Sequence, residues 1–271
     1  MKVDHILEKG SGKINEDRLV MGENLFGVFD GATSLDPELS SKSRADRKTG
    51  GSQAASIARD VFARNHHPLT CLGQSANQAI FNRMMDSGVN LDQPEQFWST
   101  SAAVVRLKNN TLEWFQTGDA QILLLGKDGT MEVLADRPDH DYPTLVMLKN
   151  SDDKSLSNPT LKTQVLKVRS LMNKRYGVLN GDPKAMEFTL SGTACLDRVK
   201  TILLFTDGLA LPNPLPKPKK NFDDLAEDFR QLGLKGLHKK IRTIEKQDPN
   251  RHKFPRFKCH DDIAAISIDL E

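Results

Sequence analysis

Aspartates at the ends of apolar segments are the sequence feature that most restricts how this chain can fold. Four of them adjoin segments whose length and composition are typical of buried strands: Asp30, Asp119, Asp207 and Asp261. A carboxylate in such a place is costly unless it is paired or bound to a cation, and no matching set of arginines stands beside these four. The pattern therefore predicts a fold that brings several strand ends together around a metal centre.

The spacing of apolar residues predicts the elements that carry these aspartates. Strands are expected at Arg18–Met21, Leu25–Phe29, Ala102–Leu107, Thr111–Gln116, Gln121–Leu125, Met131–Leu134, Ala185–Leu190, Thr201–Phe205 and Ile263–Ile268. Helices are expected at Gln53–Asn65, Leu72–Met85, Phe222–Leu232 and Leu234–Glu245. Short turns between consecutive strands favour antiparallel pairing. We therefore expect an α+β fold, with two antiparallel sheets packed together and helices outside them.

Composition and charge argue against several classes of function. A net charge of +2 over 271 residues and an aromatic content of 6% do not favour nucleic acid as the partner. No apolar run approaches the roughly 20 residues that span a bilayer, and Met1 to Gly10 contains no apolar core of signal-peptide length. The three cysteines form no Cys-x-x-Cys pair, which favours a reducing compartment. We expect a cytoplasmic monomer that binds neither nucleic acid nor membrane.

The type of ligand indicates the type of metal. Carboxylates, a backbone carbonyl and water are hard oxygen ligands, which suit Mg²⁺ or Mn²⁺ rather than zinc. Two such cations about 3.5–4 Å apart could activate a water for attack on phosphorus. Taken singly, Asp30-Gly31 and Asp207-Gly208 are more typical of turns than of metal sites. The inference therefore depends on the whole set occurring together.

The order of these motifs along the chain resembles that of a known family. The motifs are Asn15–Arg18, Val28–Gly31, Ser99–Ala102, Gly118–Ala120, Thr206–Gly208 and Asp261-Asp262. Together they are similar to the type 2C metal-dependent protein serine/threonine phosphatases, in particular to bacterial members. The resemblance implies a four-layer α/β/β/α sandwich of two antiparallel sheets flanked by helices. It also implies two Mn²⁺ or Mg²⁺ ions at one end of the sheets.

The resemblance further implies a role for each acidic residue. Asp30 would bridge both cations and Gly31 would contribute its carbonyl, while Asp207 and Asp261 would complete the site. Glu16 and Asp17 would act mostly through water, and Asp17, Asp30 and Asp207 form the expected catalytic set. Asp119, together with Asp207, would hold a weaker third cation.

The chain departs from the family pattern at four places. Gly12 stands where the family usually has an arginine that binds the phosphate, so Lys13 or Lys9 is the candidate substitute, unless both lysines are simply solvated. Ala32 replaces a histidine of many eukaryotic members, and Gly118-Asp119 is followed by Ala120-Gln121. The last motif has Asp262 where the family has asparagine.

The expected activity is hydrolysis of phosphoserine and phosphothreonine on proteins by an activated water, as part of signalling. Two alternatives remain open from the sequence: a catalytically weak binding module that docks a partner, and a phosphatase of small phosphoesters. Residues 1–271 are expected to form a single domain. A variable flap-like insertion around residues 137–192 is expected beside the active site.

Overall fold

The computed structural model describes residues 1–32, 48–136, 139–154, 158–217 and 220–271. Within them the chain forms two antiparallel sheets and five α-helices. The helices are α1 (Gly50–Phe62), α2 (Leu69–Asp86), α3 (Tyr142–Lys149), α4 (Pro159–Arg169) and α5 (Asp223–Lys246). Among the helices in these residues, none has both the length and the apolar character needed to cross a membrane.

Each sheet has five strands. Sheet I has the order β2 (Arg18–Met21), β3 (Leu25–Gly31), β4 (Thr100–Lys108), β5 (Thr111–Thr117) and β8 (Leu190–Cys195). Sheet II has the order β1 (Lys2–Glu8), β10 (Ile263–Asp269), β9 (Val199–Phe205), β6 (Gln121–Gly126) and β7 (Met131–Val133). Strands from the beginning and the end of the chain therefore lie side by side in sheet II.

Three apolar clusters hold the layers together. In one cluster, Phe29 and Phe115 of sheet I pack against α1 and α2. In the second, Val28 of sheet I and Ile266 of sheet II meet between the sheets. In the third, Phe205 and the rest of sheet II pack against α5. The order of layers is helix, sheet, sheet, helix, which confirms the predicted α+β sandwich.

One predicted strand is wrong. Ala185–Leu190 was expected to be extended, but Pro183–Phe188 forms a short 3₁₀ helix and the strand begins only at Leu190. Pro183 stands at the start of the helical turn, and the side chain of Asp182 accepts a hydrogen bond from the backbone of Lys184. This cap favours the turn over an extended chain. The apolar spacing of Met186, Phe188 and Leu190 therefore does not come from a strand.

The region around residues 137–192 contains α3 and α4, which contact each other. Residues 137–138 and 155–157 of the predicted insertion lie outside the described residues. His140, just before α3, stacks on Tyr176, with ring centroids 3.9 Å apart and planes only 4° from parallel. The stacking joins the start of this region to the segment that follows α4.

Helix α5 is broken at the position where the sequence separates its two predicted helices. Gly233 has φ 66° and ψ 179°, which is not helical. This backbone region is almost restricted to glycine. Leu225 before the break and Leu237 after it are both buried against sheet II, so the break lets both halves of α5 cover the sheet.

We expect Gly233→Ala to lower the free energy of unfolding by about 1–3 kcal/mol, because a Cβ strains this backbone conformation. Nothing lies within 4 Å of the added Cβ, so the cost would come from the backbone and not from a clash. Urea denaturation measures the effect. The control Lys235→Ala, at an exposed position of the same helix, should change stability by less than about 0.5 kcal/mol. An equal effect of both variants would show that the break does not depend on glycine.

Candidate metal centre

The strand ends of the two sheets bring the predicted acidic residues together. Asp30 lies at the end of β3, Asp207 directly beyond β9, Asp261 shortly before β10 and Asp119 in the turn between β5 and β6. A cavity of about 200 Å³ is lined by all four, and also by Gly31. Residues that are far apart in sequence thus share one site, as the pattern of aspartates predicts.

The glycines after Asp30 and Asp207 permit a close approach of backbones. A Cβ at Gly31 would lie 2.7 Å from the carbonyl oxygen of Glu16, and one at Gly208 would lie 1.9 Å from that of Asp262. Any larger residue would push these segments apart. Gly31 is the last residue of a strand and Gly208 lies in a 3₁₀ turn, so neither Asp-Gly pair forms a hairpin turn.

Glu16 and Asp17 reach the site from the segment before β2. Both are buried. Glu16 Oε1 accepts a hydrogen bond of 2.5 Å from Thr49 Oγ1. Asp17 Oδ2 accepts one of 2.7 Å from Thr206 Oγ1, which in turn accepts one of 2.9 Å from the backbone of Ala264. The residue before Asp207 therefore fixes Asp17.

Asp262 holds the N-terminal segment in place. Its two carboxylate oxygens accept hydrogen bonds from the backbone N–H groups of Gly10, at 2.7 Å, and Glu16, at 2.8 Å. An asparagine could accept only one of these two bonds, because its amide nitrogen is a donor. The acidic residue at this position thus has a structural role that the sequence did not reveal.

Asp119 lies between a hydroxyl group and two cationic side chains. Its Oδ1 accepts a hydrogen bond of 2.7 Å from Ser101 Oγ. Although burial raises the pKa of Asp119, the nearby Lys220 and His140 and the bond from Ser101 bring it below its usual value. Asp119, His140 and Asp141 also place ligand atoms within 4.8 Å of one another.

Burial and neighbouring negative charges disfavour the ionisation of three other carboxylates. Burial and the neighbouring Asp261 and Asp119 raise the pKa of Asp207 to about 8. Burial, together with Asp17 and Asp207, raises the pKa of Asp30 well above its usual value. Burial and the charges of Asp261 and Asp207 likewise raise the pKa of Asp17, against the effect of the Thr206 hydrogen bond.

These residues fit a pair of hard divalent cations. The donors that share the cavity include several carboxylates and the backbone at Gly31, which is the chemistry preferred by Mg²⁺ and Mn²⁺. Divalent cations would also remove the repulsion that raises the carboxylate pKa values. The geometry thus supports the predicted type of metal.

The predicted phosphate ligand Lys13 is exposed and is not among the described residues that line this cavity. Five residues near the acidic centre were missed by the sequence reasoning: His140, Asp141, Arg169, Lys220 and Lys258. The sequence contains three potential metal ligands in a row, Asp139-His140-Asp141. Their position in the sequence does not indicate that they lie close to Asp119. The cationic residues have no local motif, since only the fold brings them to the site.

Comparisons with known proteins agree with this arrangement. The family model for protein phosphatase 2C matches residues 9–244. The Mycobacterium tuberculosis serine/threonine phosphatase PstP is similar in structure, with a TM-score of 0.60, 18% identity, and coverage of 100% of this chain and 98% of that one. A PstP catalytic domain in complex with two manganese ions has a TM-score of 0.59 and 15% identity, covering 99% and 97% of the two chains.

The Staphylococcus aureus phosphatase Stp1 has a TM-score of 0.59 and 14% identity, with coverage of 100% of this chain and 95% of that one. At such low identities these likenesses establish the fold. No curated protein matches the chain in sequence.

We expect Thr206→Val to lower the free energy of unfolding by about 1–3 kcal/mol, because it leaves the buried Asp17 without its donor and the Ala264 N–H without its acceptor. Urea denaturation with chelator present measures the change. Thr243→Val, on the exposed face of α5, is the matched control and should have a much smaller effect. Equal effects would mean that the Thr206 hydroxyl does not stabilise this end of the sandwich.

The raised pKa values also predict how stability depends on pH. Between about pH 4 and pH 8 the folded chain without metal keeps a proton on Asp207 that the unfolded chain has lost. The raised pKa values of Asp30 and Asp17 act in the same direction. The free energy of unfolding in chelator should therefore fall as the pH rises through this range. Denaturation series with chelator and with Mg²⁺ test this expectation, because Mg²⁺ should remove the fall. Asp207→Asn should weaken the dependence, and an unchanged dependence would contradict the assignment.

Proposed function

The chain belongs to the protein phosphatase 2C family, and we propose that its acidic centre hydrolyses phosphoserine and phosphothreonine in proteins by the metal-dependent reaction of that family. The observation that carries the proposal is the convergence of Asp30, Asp119, Asp207 and Asp261 on one cavity. Burial and the charges of neighbouring aspartates raise the pKa values of Asp30 and Asp207. These carboxylates can all be ionised together only when cations are bound among them.

Each residue has a proposed part in this reaction. Asp30, Asp207 and Asp261, with the carbonyl of Gly31, would hold two Mn²⁺ or Mg²⁺ ions, and the two manganese ions of the similar PstP domain support this number. When bound, the cations supply Lewis acidity that activates a water and stabilises charge on the phosphate. Asp119 would contribute to a weaker third position.

The buried carboxylates Glu16 and Asp17 would orient water at the edge of the cavity. Asp17 is suited to this task because the bond from Thr206 holds one of its oxygens and fixes the side chain. Asp30 and Asp207 would serve the reaction as cation ligands, since bound cations would offset the burial and repulsion that raise their pKa values without metal. Lys13 stays a candidate for contact with the phosphate.

The region around residues 137–192 would shape substrate entry. His140, Asp141, Arg169 and Tyr176 from this region line the same cavity as Asp30, so a phosphoprotein loop would meet them before it reached the acidic centre. We propose that residues 1–271 act as a single domain with this flap at its entrance. A monomeric, cytoplasmic enzyme in phosphoprotein signalling is the corresponding cellular role.

The alternatives of a binding module and of a small-molecule phosphatase are less well supported. A module that only docks a partner has no need of several carboxylates that repel one another and destabilise the fold without cations. The flap segments and the connection after β9 border this site. They would give a phosphoprotein segment more contact surface than a small phosphoester needs.

We expect Asp207→Asn to lower metal-dependent hydrolysis of a phosphothreonine peptide by about 100-fold or more, because it removes a cation ligand and a negative charge. Turnover is measured with Mn²⁺, with Mg²⁺ and with chelator. The control Asp86→Asn, at an exposed position in α2, should keep the activity of the unaltered chain.

Full activity of folded Asp207→Asn would contradict the assigned role of this residue. The absence of hydrolysis by the folded unaltered chain with any cation would favour the binding module. Much faster turnover of small phosphoesters than of phosphopeptides would favour the second alternative.

A further inference from the structure

The connection between α5 and β10 carries a lysine into the acidic centre. Helix α5 ends at Lys246 and β10 begins at Ile263. We call residues 248–260 of this connection the basic loop, because it contains Arg251, Lys253, Arg256 and Lys258. Lys258 lies three residues before the predicted ligand Asp261.

Asp248 braces the beginning of the basic loop. Its Oδ1 accepts hydrogen bonds from the backbone N–H groups of His252 and Lys253, at 2.9 and 3.2 Å, and its Oδ2 accepts one from Phe254 at 2.8 Å. These bonds replace the regular secondary structure that this segment lacks. The loop is therefore held to the end of α5.

Arg256 braces the rest of the basic loop. Its guanidinium donates to the carbonyl oxygens of Glu245, Phe254 and Cys259 at 2.8–3.0 Å, and to Asp248 Oδ2 at 3.0 Å. The planar guanidinium can satisfy several acceptors at once in fixed directions. Lys258 thus projects from a backbone that is fixed on both of its sides.

Lys258 faces the carboxylates. Its Nζ lies 2.7 Å from Asp261 Oδ1, and the side chain lines both the cavity that contains Asp30 and a neighbouring one of about 190 Å³ that contains Asp207. An ammonium group has three donors, so the contact with Asp261 leaves others for a ligand.

The basic loop also lies against the segment that contains Gly12. The backbone N–H of Ser11 donates to the carbonyl oxygen of His260 at 2.8 Å, and a Cβ at Gly10 would lie 2.2 Å from that same oxygen. The end of the basic loop is therefore held against the segment before Glu16.

From these contacts we propose that Lys258 binds the phosphate group of the substrate and that the braced basic loop positions it to do so. The proposal rests on the proposed function, since it assigns a residue to the phosphate of that same site. Two other cationic side chains lie near the centre, and Lys220 lines the neighbouring cavity that contains Asp207. Lys220 lies beside Asp119 and Asp139 and is not among the described residues lining the cavity of Asp30. Arg169 lines that cavity, but it comes from the flap region.

The test is calorimetric titration of inorganic phosphate into the full chain saturated with Mg²⁺. We expect Lys258→Met to weaken phosphate affinity about tenfold or more, because a charged hydrogen bond is lost. Lys258→Arg should retain part of the affinity. Lys253→Met removes an exposed lysine from the same loop and should leave affinity unchanged. Mg²⁺ affinity, titrated separately, should not weaken in Lys258→Met.

Three results would overturn the proposal. The first is unchanged phosphate affinity with tighter Mg²⁺ binding in Lys258→Met, which would mean that Lys258 only balances the charge of Asp261. The second is loss of phosphate affinity in Arg169→Met and not in Lys258→Met. The third is a lack of phosphate binding by the unaltered, Mg²⁺-saturated chain.

A measurement on the unaltered chain covers the case in which Lys258→Met does not fold. Phosphate should protect Lys258, but not Lys253, from an amine-reactive reagent, as measured by mass spectrometry of peptides; equal labelling of Lys258 with and without phosphate would also overturn the proposal. These readouts do not need turnover. Phosphate binding through Lys258 without hydrolysis of phosphopeptides would therefore refute the proposed function and leave the role of Lys258 intact.

Discussion

Repulsion between carboxylates at one end of the sandwich is the constraint on which the rest of the structure depends. Burial and the charges of their acidic neighbours, among them Asp261, raise the pKa values of Asp17, Asp30 and Asp207. The chain can hold these carboxylates together because three extensive apolar clusters pack the sheets against each other and against the helices. The free energy gained there offsets the cost of a site that is complete only with cations.

The same constraint explains how the two ends of the chain are joined. Strand β1 pairs with β10 along its whole length. Asp262, just before β10, accepts hydrogen bonds from Gly10 and Glu16 in the segment after β1. Arg242 of α5 bonds to Glu8 at the end of β1 and to the carbonyl oxygen of Asp261. Residues that enter the site from opposite ends of the sequence are thus fixed to one frame, which keeps the acidic side chains from moving apart.

Much of this arrangement could be predicted from the sequence, for identifiable reasons. Continuous apolar runs such as Thr201–Phe205 indicate buried strands wherever they occur, and an aspartate at the end of such a run is informative because burial makes it costly. Edge strands are harder to predict. Strand β8 alternates between half-buried and exposed residues and contains few large apolar side chains, and β1 is likewise half-exposed. Lys258 and Arg169 could not be assigned, because their place depends on tertiary packing and no local pattern reports it.

Charge balance also couples the binding of cations to the binding of phosphate. A phosphate carries negative charge, so adding it to an acidic centre without cations would increase the repulsion that already raises the pKa of Asp207. Cations bound at this site would therefore increase the affinity for phosphate. Because such coupling is reciprocal, phosphate must strengthen cation binding by the same factor. The positive charge of Lys258, next to Asp261, offsets carboxylate charge when no phosphate is bound. When phosphate binds, the same positive charge offsets the negative charge of the phosphate.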